Sequence, residues 1–343
     1  MRRTALGCLE RVGALRAIGD SRWRRGHLLV LAYHGISQHD EHLWNGALYM
    51  ASEVLAERLR ILRECGCAVI ALTEAVERLY AGTLEPRSVV ITFDDGYHDF
   101  VSRAYPLLAE YGVPVTVYLP TVSLGWATPS FPLVCSYLLW KANRQTMQLP
   151  ELGTEAVAVG DLASRMGTVA ALLRITKTQA WSRADRDMFV RALAERVGLD
   201  YGTIVERRLF WSMAGEDVTR LAAAGVDFQL HTHTHNTPRE RVDFAREIVV
   251  NRERIERLTG VRPTHFCYPS GNYDSRFLPW LREQGVVSAV TCDPGLASRR
   301  TPALMIPRVV DTSTTTSTEF RGWLTGAAAL LSRRKSYAKP AGD

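Results

Sequence analysis

Several features that would assign the chain to a class of protein are missing from its 343 residues. The sequence contains no run of about 18 apolar residues, so a transmembrane helix is not expected. The N-terminus has no apolar stretch of the signal-peptide type, because Glu10, Arg11 and Arg16 interrupt it. With no export signal visible, we expect a cytoplasmic protein.

Informative cysteine patterns are also missing. No two of the six cysteines form a C-x-x-C pair; they are Cys8, Cys65, Cys67, Cys135, Cys267 and Cys292. Cys67, Cys267 and Cys292 lie in or beside apolar, strand-like runs, where thiols usually act as small hydrophobic groups. Together with the lack of a signal peptide, this pattern favours a reducing compartment.

The net charge of +6 is concentrated at the N-terminus. Residues 1–26 carry seven arginines against Glu10 and Asp20, a balance of +5. Apolar residues at helical spacing predict one amphipathic helix there: Leu6, Leu9, Val12, Leu15 and Ile18. Such a helix can make a peripheral contact with an anionic surface, such as the inner face of a membrane. It can also pack on the domain as a basic surface helix, and we favour this second alternative. No recognition motif accompanies the charge, so no nucleic-acid partner is expected.

Strands and helices alternate along most of the remaining chain. This order predicts parallel β/α units with helices outside, in one domain over residues 27–331. The predicted strands are 27–33, 68–72, 89–92, 115–119, 226–230, 264–268, 286–291 and 304–309, and the last helix is 318–331. The tail, 332–343, is basic and predicted to be disordered.

Between about residues 121 and 210 the alternation stops and the pattern becomes helical. We interpret this stretch as a helical insertion or lid beside the site. Ser182 and Asp185 form a capping box for a helix that runs to Val197. The aromatic residues of the insertion either contact a ligand or, as we favour, pack the insertion on the barrel: Trp126, Phe131, Tyr137 and Trp140.

Two adjacent carboxylates follow the predicted strand at 89–92. The sequence there is Thr92-Phe93-Asp94-Asp95-Gly96. Neighbouring side chains on an extended chain point to opposite sides, so one carboxylate can hold a metal ion while the other stays free as a base. The structural alternative is a polar turn that closes the strand.

A histidine cluster follows the predicted strand at 226–230. Three of the nine histidines, His231, His233 and His235, fall within five residues. Imidazole nitrogens with a carboxylate oxygen suit zinc and its neighbours, and Asp95 is the natural third ligand. If the chain turns after the strand, His231 and His235 can close on one ion. If it stays extended, all three histidines share one face. The spacing alone does not distinguish these two arrangements.

These motifs together resemble a known family. T-F-D-D-G at 92–96, H-T-H-T-H at 231–235 and Y-P-S-G at 268–271 resemble the polysaccharide deacetylase family, the NodB-homology group or carbohydrate esterase family 4. The resemblance is closest to the poly-β-1,6-N-acetylglucosamine deacetylase-like branch and spans about residues 28–310, with the helical insertion outside the common pattern. It implies an α/β fold, a distorted (β/α) barrel usually of seven strands. It also implies removal of N-acetyl groups from amino sugars of a glycan with a divalent metal ion, Zn²⁺ first and Co²⁺ or Ni²⁺ as alternatives.

The resemblance further implies a role for each site residue. Asp94 corresponds to the general base that takes a proton from the water activated by the metal, which is the nucleophile. Asp95, His231 and His235 correspond to the metal ligands, and His233 falls at an unspecified position of the motif. A backbone N–H around Tyr268 corresponds to a donor to the oxyanion, although its motif is also typical of a tight turn that ends a strand.

Two departures from the family pattern affect the acid and the partner of the base. No histidine follows His265, so the late histidine that serves many members as the acid is absent. We predict that His34, in Tyr33-His34-Gly35 at the end of the first strand, protonates the leaving amine. The alternative for His34 is a purely structural role. His98 is a weaker candidate for the acid. The arginine-containing third motif is also absent, and Arg308 is predicted to orient Asp94 and keep it ionised, with an ordinary ion pair as the alternative.

Other functions stay open at this point. The same metal and base would serve hydrolysis of another amide, an O-acetyl ester or a cyclic ureide. A catalytically silent glycan-binding protein is a further alternative, against which the joint presence of Asp94, Asp95, His231 and His235 argues. A nucleic-acid binder would show strongly salt-dependent binding, but the basic charge is too localised to favour it.

Overall fold

The computed structural model describes residues 2–153 and 155–331. Its strands are β1 His27–Tyr33, β2 Gly35–Ile36, β3 Tyr49–Met50, β4 Ala68–Val69, β5 Ser88–Asp94, β6 Thr116–Leu119, β7 Thr146–Gln148, β8 Ala156–Ala158, β9 Asp227–Leu230, β10 His265–Cys267, β11 Ser288–Val290, β12 Ala297–Ser298 and β13 Val309–Val310. Its helices are α1 Arg2–Arg11, α2 Ala14–Gly19, α3 Arg22–Arg25, α4 Glu41–Trp44, α5 Ser52–Glu64, α6 Leu72–Ala81, α7 Tyr105–Tyr111, α8 Phe131–Lys141, α9 Leu162–Thr178, α10 Arg183–Arg196, α11 Tyr201–Glu206, α12 Gly215–Ala223, α13 Arg241–Thr259, α14 Phe277–Glu283, α15 Ser317–Thr325 and α16 Ala327–Leu330.

The central sheet curls into a distorted barrel. Its strand order is β11-β10-β9-β6-β5-β1-β12, and β4 and β13 pair with β5 and β1. Every pairing in it is parallel except that of β12 with β1. The segment 306–310 joins the two ends of the curl, because Ile306 bridges Val290 of β11 and Val309 of β13 pairs with Leu31 of β1. The predicted distorted (β/α) barrel is confirmed, as a curled sheet of mostly parallel strands.

Side-chain alternation along the strands separates two cores. Val30, Val90, Tyr118 and Cys267 belong to the core inside the barrel, while their neighbours in sequence pack outward against the helices. Burying one such aliphatic or aromatic side chain contributes about 1.5–3 kcal/mol. Because the side-chain period of a strand is two residues, Asp94 faces the same interior as Val90.

The N-terminal segment forms three helices, so the prediction of one amphipathic helix is wrong. Gly13 interrupts it between α1 and α2 with a φ of 72°. Leu6 is fully buried in the outer core, and a Cβ atom on Gly322 of α15 would lie 2.8 Å from its side chain, so α1 approaches α15 closely only because that residue is glycine. The buried Arg24 donates hydrogen bonds to the carbonyl oxygens of His27, Ser88 and Leu324. The segment therefore packs on the domain, and a membrane contact stays a prediction.

The insertion is helical as predicted, from α8 to α11, but it also contains an unpredicted antiparallel hairpin of β7 and β8. The capping box at the start of α10 is confirmed, since Ser182 and Asp185 each accept a hydrogen bond from the other's backbone N–H. The insertion has its own apolar core, in which Phe210 packs against Trp44 and Tyr137. This contact joins the insertion to the segment that follows β2.

Several boundaries differ from the prediction. The strand predicted at 68–72 ends at Val69, because Leu72 already begins α6. The strand predicted at 304–309 is a 3₁₀ turn, Ala303–Met305, followed by the bridge at Ile306 and β13. The last helix is split into α15 and α16 at Gly326, whose φ is 85°. No helix within the described ranges is long and apolar enough to span a membrane. The tail predicted to be disordered, 332–343, lies outside the described residues.

Candidate metal centre and active site

The two adjacent carboxylates stand where β5 ends. Asp94 is the last residue of the strand, and Asp95 leaves it with a φ of 70°. The turn is tight, because the N–H of Gly96 donates to the carbonyl oxygen of Asp94 at 2.9 Å. A Cβ atom on Gly96 would lie 2.2 Å from the side chain of Leu119 on β6, so no larger residue fits this turn. The two carboxylates consequently diverge, as the alternation rule predicts.

Asp95 meets two of the three clustered histidines. Its Oδ1 lies 3.4 Å from Nε2 of His231 and 3.2 Å from Nε2 of His235. One ligand atom from each of the three residues lies within 4.8 Å of the others. The ends of β5 and β9 thus bring together the three residues predicted as metal ligands.

The chain turns after β9, which decides between the two alternatives for the histidines. Thr232 and His235 have φ values of 58° and 57°, so the segment does not continue as a strand. His233 points elsewhere: its Nδ1 lies 3.0 Å from Oγ1 of Thr121, and its carbonyl oxygen accepts hydrogen bonds from Thr121 and Val122. It is not part of the metal-binding set.

The donor set fits a divalent ion of the zinc type. Ligands about 2.0–2.2 Å from a tetrahedral zinc lie about 3.3–3.5 Å from one another, close to the two separations at Asp95. The Nδ1–H of His231 donates to the carbonyl oxygen of Cys267 at 2.8 Å, which leaves Nε2 free to bind a metal. The hydroxyl of Tyr97 donates to Oδ2 of Asp95 at 2.8 Å and leaves Oδ1 towards the histidines. Two imidazoles and a carboxylate suit zinc, cobalt and nickel alike, so the set does not select one metal.

Electrostatics favour the anionic form of Asp95. Burial alone would raise the pKa of this carboxyl, but its contacts with the imidazoles of His231 and His235 hold the pKa well below its usual value. Burial would lower the pKa of His235, and Asp95 more than compensates, so that pKa is raised. The anionic carboxylate of Asp95 therefore favours a positive charge between it and the two histidines.

Asp94 is held by Arg308 on the inner side of the barrel. Both guanidinium Nη atoms donate to its carboxylate, each at 2.7 Å. The two side chains are 3% and 0% exposed, so this ion pair is shielded from solvent. Burial would raise the pKa of Asp94, but the charge and hydrogen bonds of Arg308 lower it below its usual value. Arg308 thus lies where the sequence predicted, in contact with Asp94.

Two cysteines complete the surroundings of Arg308, and sequence reasoning missed them. Nη2 of Arg308 donates to Sγ of Cys267 at 3.0 Å and lies 3.6 Å from Sγ of Cys292. Asp94, His231 and Cys267 also have ligand atoms within 4.8 Å of one another. This second set is a poor metal site, because Arg308 already occupies Asp94 and burial raises the pKa of the Cys267 thiol well above its usual value. The period-two pattern of β10 could have placed Cys267 inside the barrel.

His34 reaches the same carboxylate from the end of β1. Its Nε2 lies 3.8 Å from Oδ2 of Asp94, and its side chain is 20% exposed. The weaker candidate, His98, has Nδ1 4.0 Å from Asp217 on α12, and burial lowers its pKa. Of the two histidines, His34 is the one in contact with Asp94.

Tyr268 lies in the strand and turn that its motif suggested. Its side chain packs in the outer core, and its hydroxyl donates to the carbonyl oxygen of Leu304 at 3.0 Å. Its N–H donates to the carbonyl oxygen of Val290 at 3.3 Å, as in a sheet. A 3₁₀ turn, Pro269–Gly271, follows directly. A role for this segment as an oxyanion donor stays a prediction.

Comparison with known proteins adds a family and a fold. A family model described as polysaccharide deacetylase matches residues 81–129 and 201–289, and the gap between the two parts falls on the helical insertion. The chain is 27% identical over 107 residues to a poly-beta-1,6-N-acetyl-D-glucosamine N-deacetylase of Escherichia coli K12. That match covers 31% of this chain and only 16% of the relative's length.

Solved structures extend the likeness to most of the chain. The deacetylase PplD of Streptococcus pyogenes, in complex with acetate, aligns with a TM-score of 0.57 at 16% identity, over 85% of this chain and 96% of the other. IcaB from Ammonifex degensii aligns with a TM-score of 0.55 at 17% identity, over 88% and 97%. At these identities the likeness concerns the fold, and it agrees with the distorted barrel described above.

Proposed function

Since the chain is a member of the polysaccharide deacetylase family, we propose that it is a metal-dependent hydrolase that removes N-acetyl groups from the N-acetylhexosamine units of a polysaccharide or a glycan precursor. One observation carries the proposal. A zinc-type set of ligands, Asp95, His231 and His235, stands beside a buried carboxylate, Asp94, that is held ionised by Arg308.

The three ligands would hold a divalent ion, Zn²⁺ as the first choice and Co²⁺ or Ni²⁺ as alternatives. When bound, such an ion polarises an amide carbonyl and lowers the pKa of a water molecule. The chain's own part is to orient the ligands. His231 is oriented by the carbonyl oxygen of Cys267 and Asp95 by the hydroxyl of Tyr97.

Asp94 suits the role of general base. A carboxylate has about four lone-pair sites; the two hydrogen bonds from Arg308 use two of them, and a long one of 3.5 Å from the thiol of Cys267 uses a third. The remaining lone pair can accept a proton from water. Arg308 keeps the carboxylate in the form that accepts the proton, and its rigid fork fixes the plane of the carboxylate.

His34 suits the role of general acid. It lies beside Asp94 but is partly exposed, so it can meet both the site and the substrate. Protonation of the leaving amine by an imidazole is ordinary general acid catalysis. The base and the acid come from neighbouring strands, since β1 and β5 pair directly and Tyr33 lies opposite Phe93.

The substrate class follows from the family and the relatives. The E. coli relative is a poly-β-1,6-N-acetylglucosamine N-deacetylase, but this chain spans less than a fifth of that protein's length. We therefore take short β-1,6-linked N-acetylglucosamine oligomers as the first substrates to try, with β-1,4-linked oligomers for comparison.

The test is acetate release from both oligomers by protein stripped with a chelator and then reloaded with zinc, cobalt or nickel. We expect activity to return only with metal. His235→Gln should abolish both stoichiometric zinc binding and activity, while its neighbour His233→Gln is the matched control that should retain both. Stoichiometric zinc binding without acetate release from any oligomer would refute the proposed reaction and point to another acyl substrate or to glycan binding alone.

A further inference from the structure

A cavity of about 200 Å³ connects the metal centre with the helical insertion. Asp95, Tyr97 and His235 line one end of it, and Trp126, Phe131 and Arg186 line the other. Ligand cavities usually measure about 300–1,000 Å³, so this one has room for a small group rather than a long oligomer. The insertion, which contains the gap of the family match between residues 129 and 201, therefore contributes one wall of the site.

Arg186 lines this cavity and has an unpartnered guanidinium nitrogen in the described part of the chain. It lies in the first turn of α10, and its Nε is buried and has no hydrogen-bond partner. Among residues 2–153 and 155–331, no side chain or carbonyl oxygen accepts a hydrogen bond from its guanidinium. Burying part of a charged group unpaired is unfavourable, and a ligand that supplies the missing acceptor would remove that cost.

The carboxylate next to Arg186 in sequence is already paired with other groups, so Arg186 is available to bind a ligand. The adjacent carboxylate, Asp187, already binds the guanidinium of Arg191 at 2.8 Å and the hydroxyl of Tyr201. A second cation stands nearby, because the guanidinium of Arg183 lies 3.9 Å from the centroid of the Trp126 ring. This end of the cavity is thus positive and partly aromatic, whereas the metal-centre end contains Asp95.

We propose that the Arg186 end of the cavity is a subsite for an anionic oxygen group, a phosphate or a carboxylate, on a sugar next to the one that is deacetylated. The inference rests on the proposed function and specifies its substrate as a charged glycan. Arginine suits both anions because its planar fork donates two parallel hydrogen bonds to either. A neutral glycan would leave the guanidinium unpaired. The helical insertion then selects the substrate by charge.

The experiment measures binding and acetate release separately with the zinc-loaded full chain. The probes are N,N′-diacetylchitobiose 1-phosphate, a hyaluronan tetrasaccharide that carries carboxylates, and the neutral N-acetylchitotetraose. Calorimetry gives the Kd of each probe for the wild type, for Arg186→Gln and for the matched control Arg174→Gln, an exposed arginine on α9 of the same insertion.

We expect Arg186→Gln to weaken binding of the preferred anionic probe about 10- to 100-fold. Binding of the neutral probe should change less than about twofold, and Arg174→Gln should change neither. The better of the two anionic probes identifies the group.

The outcomes separate the subsite from the reaction. Equal affinity of the wild type for charged and neutral probes, or equal affinity of Arg186→Gln and the wild type for the anionic probes, would overturn the subsite. Charge-dependent binding without acetate release would leave the subsite standing and refute the deacetylation. If both hold, acetate release from the charged glycan should show a raised KM and an unchanged kcat in Arg186→Gln.

Discussion

Replacing Arg308 with methionine should cost both stability and the acid tolerance of the reaction. The substitution keeps an unbranched side chain of similar length but removes the guanidinium that donates two 2.7 Å hydrogen bonds to Asp94. Asp94, only 3% exposed, would then be a buried carboxylate without its cation. Removing one partner of such a pair typically costs about 3–5 kcal/mol.

The expected sizes follow from this loss. With an unfolding entropy of about 2.1 cal/mol/K per residue, a domain of roughly 300 residues loses about 1.6 °C of Tm per kcal/mol, so we expect a decrease of roughly 5–8 °C. Arg308 lowers the pKa of Asp94 in the folded protein. The pair therefore stabilises the fold fully at pH values above the pKa of an unfolded carboxyl, about 3.9. This stabilisation is lost as the pH falls through the lower pKa of the folded state. In the variant, only the smaller effects of His231 and His34 still oppose burial, so the pKa of Asp94 should rise and move the acid limb of the kcat/KM profile to higher pH.

The assay combines thermal unfolding with a pH profile of acetate release. The matched control is Arg58→Met, because Arg58 forms another buried pair, with Asp311 at 2.8 Å, next to the hydroxyl of Tyr33 rather than to the metal centre. It should lose comparable stability and keep the acid limb in place. A loss below about 1 kcal/mol in Arg308→Met, together with an unmoved acid limb, would refute the role assigned to this pair. The double variant Arg308→Met/Asp94→Leu should regain part of the stability, because no buried charge is then left unpaired.

Three other changes test the rest of the site and the barrel. His34→Gln should lower kcat about 10²–10⁴-fold without altering zinc affinity, since only a proton donor is lost. Tyr97→Phe removes the 2.8 Å hydrogen bond to Asp95 and should weaken zinc binding about 10- to 100-fold, measured by competition with a chelating dye. Burial lowers the pKa of His265 to about 4 from 6.5, so unfolding takes up a proton below about pH 6.5. Stability should therefore fall by roughly 3 kcal/mol between pH 6.5 and 4 in urea unfolding, and His265→Gln should flatten that decline.

Each of these predictions has its own control or contrary result. His39→Gln changes an exposed histidine and should leave kcat as it is, whereas an equal loss in both variants would remove the acid role from His34. Tyr105→Phe should leave zinc affinity unchanged; if Tyr97→Phe does the same, its hydroxyl does not orient Asp95. A stability curve of His265→Gln that parallels the wild type would assign the acid sensitivity to another group.

The elements that carry the site could be predicted because they follow strong local rules. The β-branched run before Asp94 forms a strand, and the polar residues after it and after β9 meet because parallel strands end at the same edge of a barrel. The meeting of Asp95 with His231 therefore follows from the strand ends alone, whereas the choice of His235 depends on the turn after β9. Arg308 could be connected to Asp94 only through the family resemblance, since 214 residues separate the two.

What the sequence left open depended on contacts distant in the chain. The turn after β9 requires a positive φ at Thr232, which β-branched residues disfavour. It is held by the N–H of Asn236 donating to Oγ1 of Thr232 and by Glu247 of α13 accepting from the N–H of Thr234. The break at Gly13 did have a local signal, the glycine itself, which the regular apolar spacing outweighed. Arg186 had none, because a single arginine on a polar helix is ordinary until the surrounding cavity is known.

The segment that closes the barrel also sets an order of assembly during synthesis. Arg308 leaves the ribosome 73 residues after His235, an interval of roughly 4–15 s. Asp95, His231 and His235, the proposed metal ligands, can thus gather on a nascent chain whose barrel is still open. Asp94 receives its countercharge only when residues 306–310 dock between β11 and β1. A chain truncated before residue 306 would keep the three proposed ligands but would lack the guanidinium that lowers the pKa of Asp94.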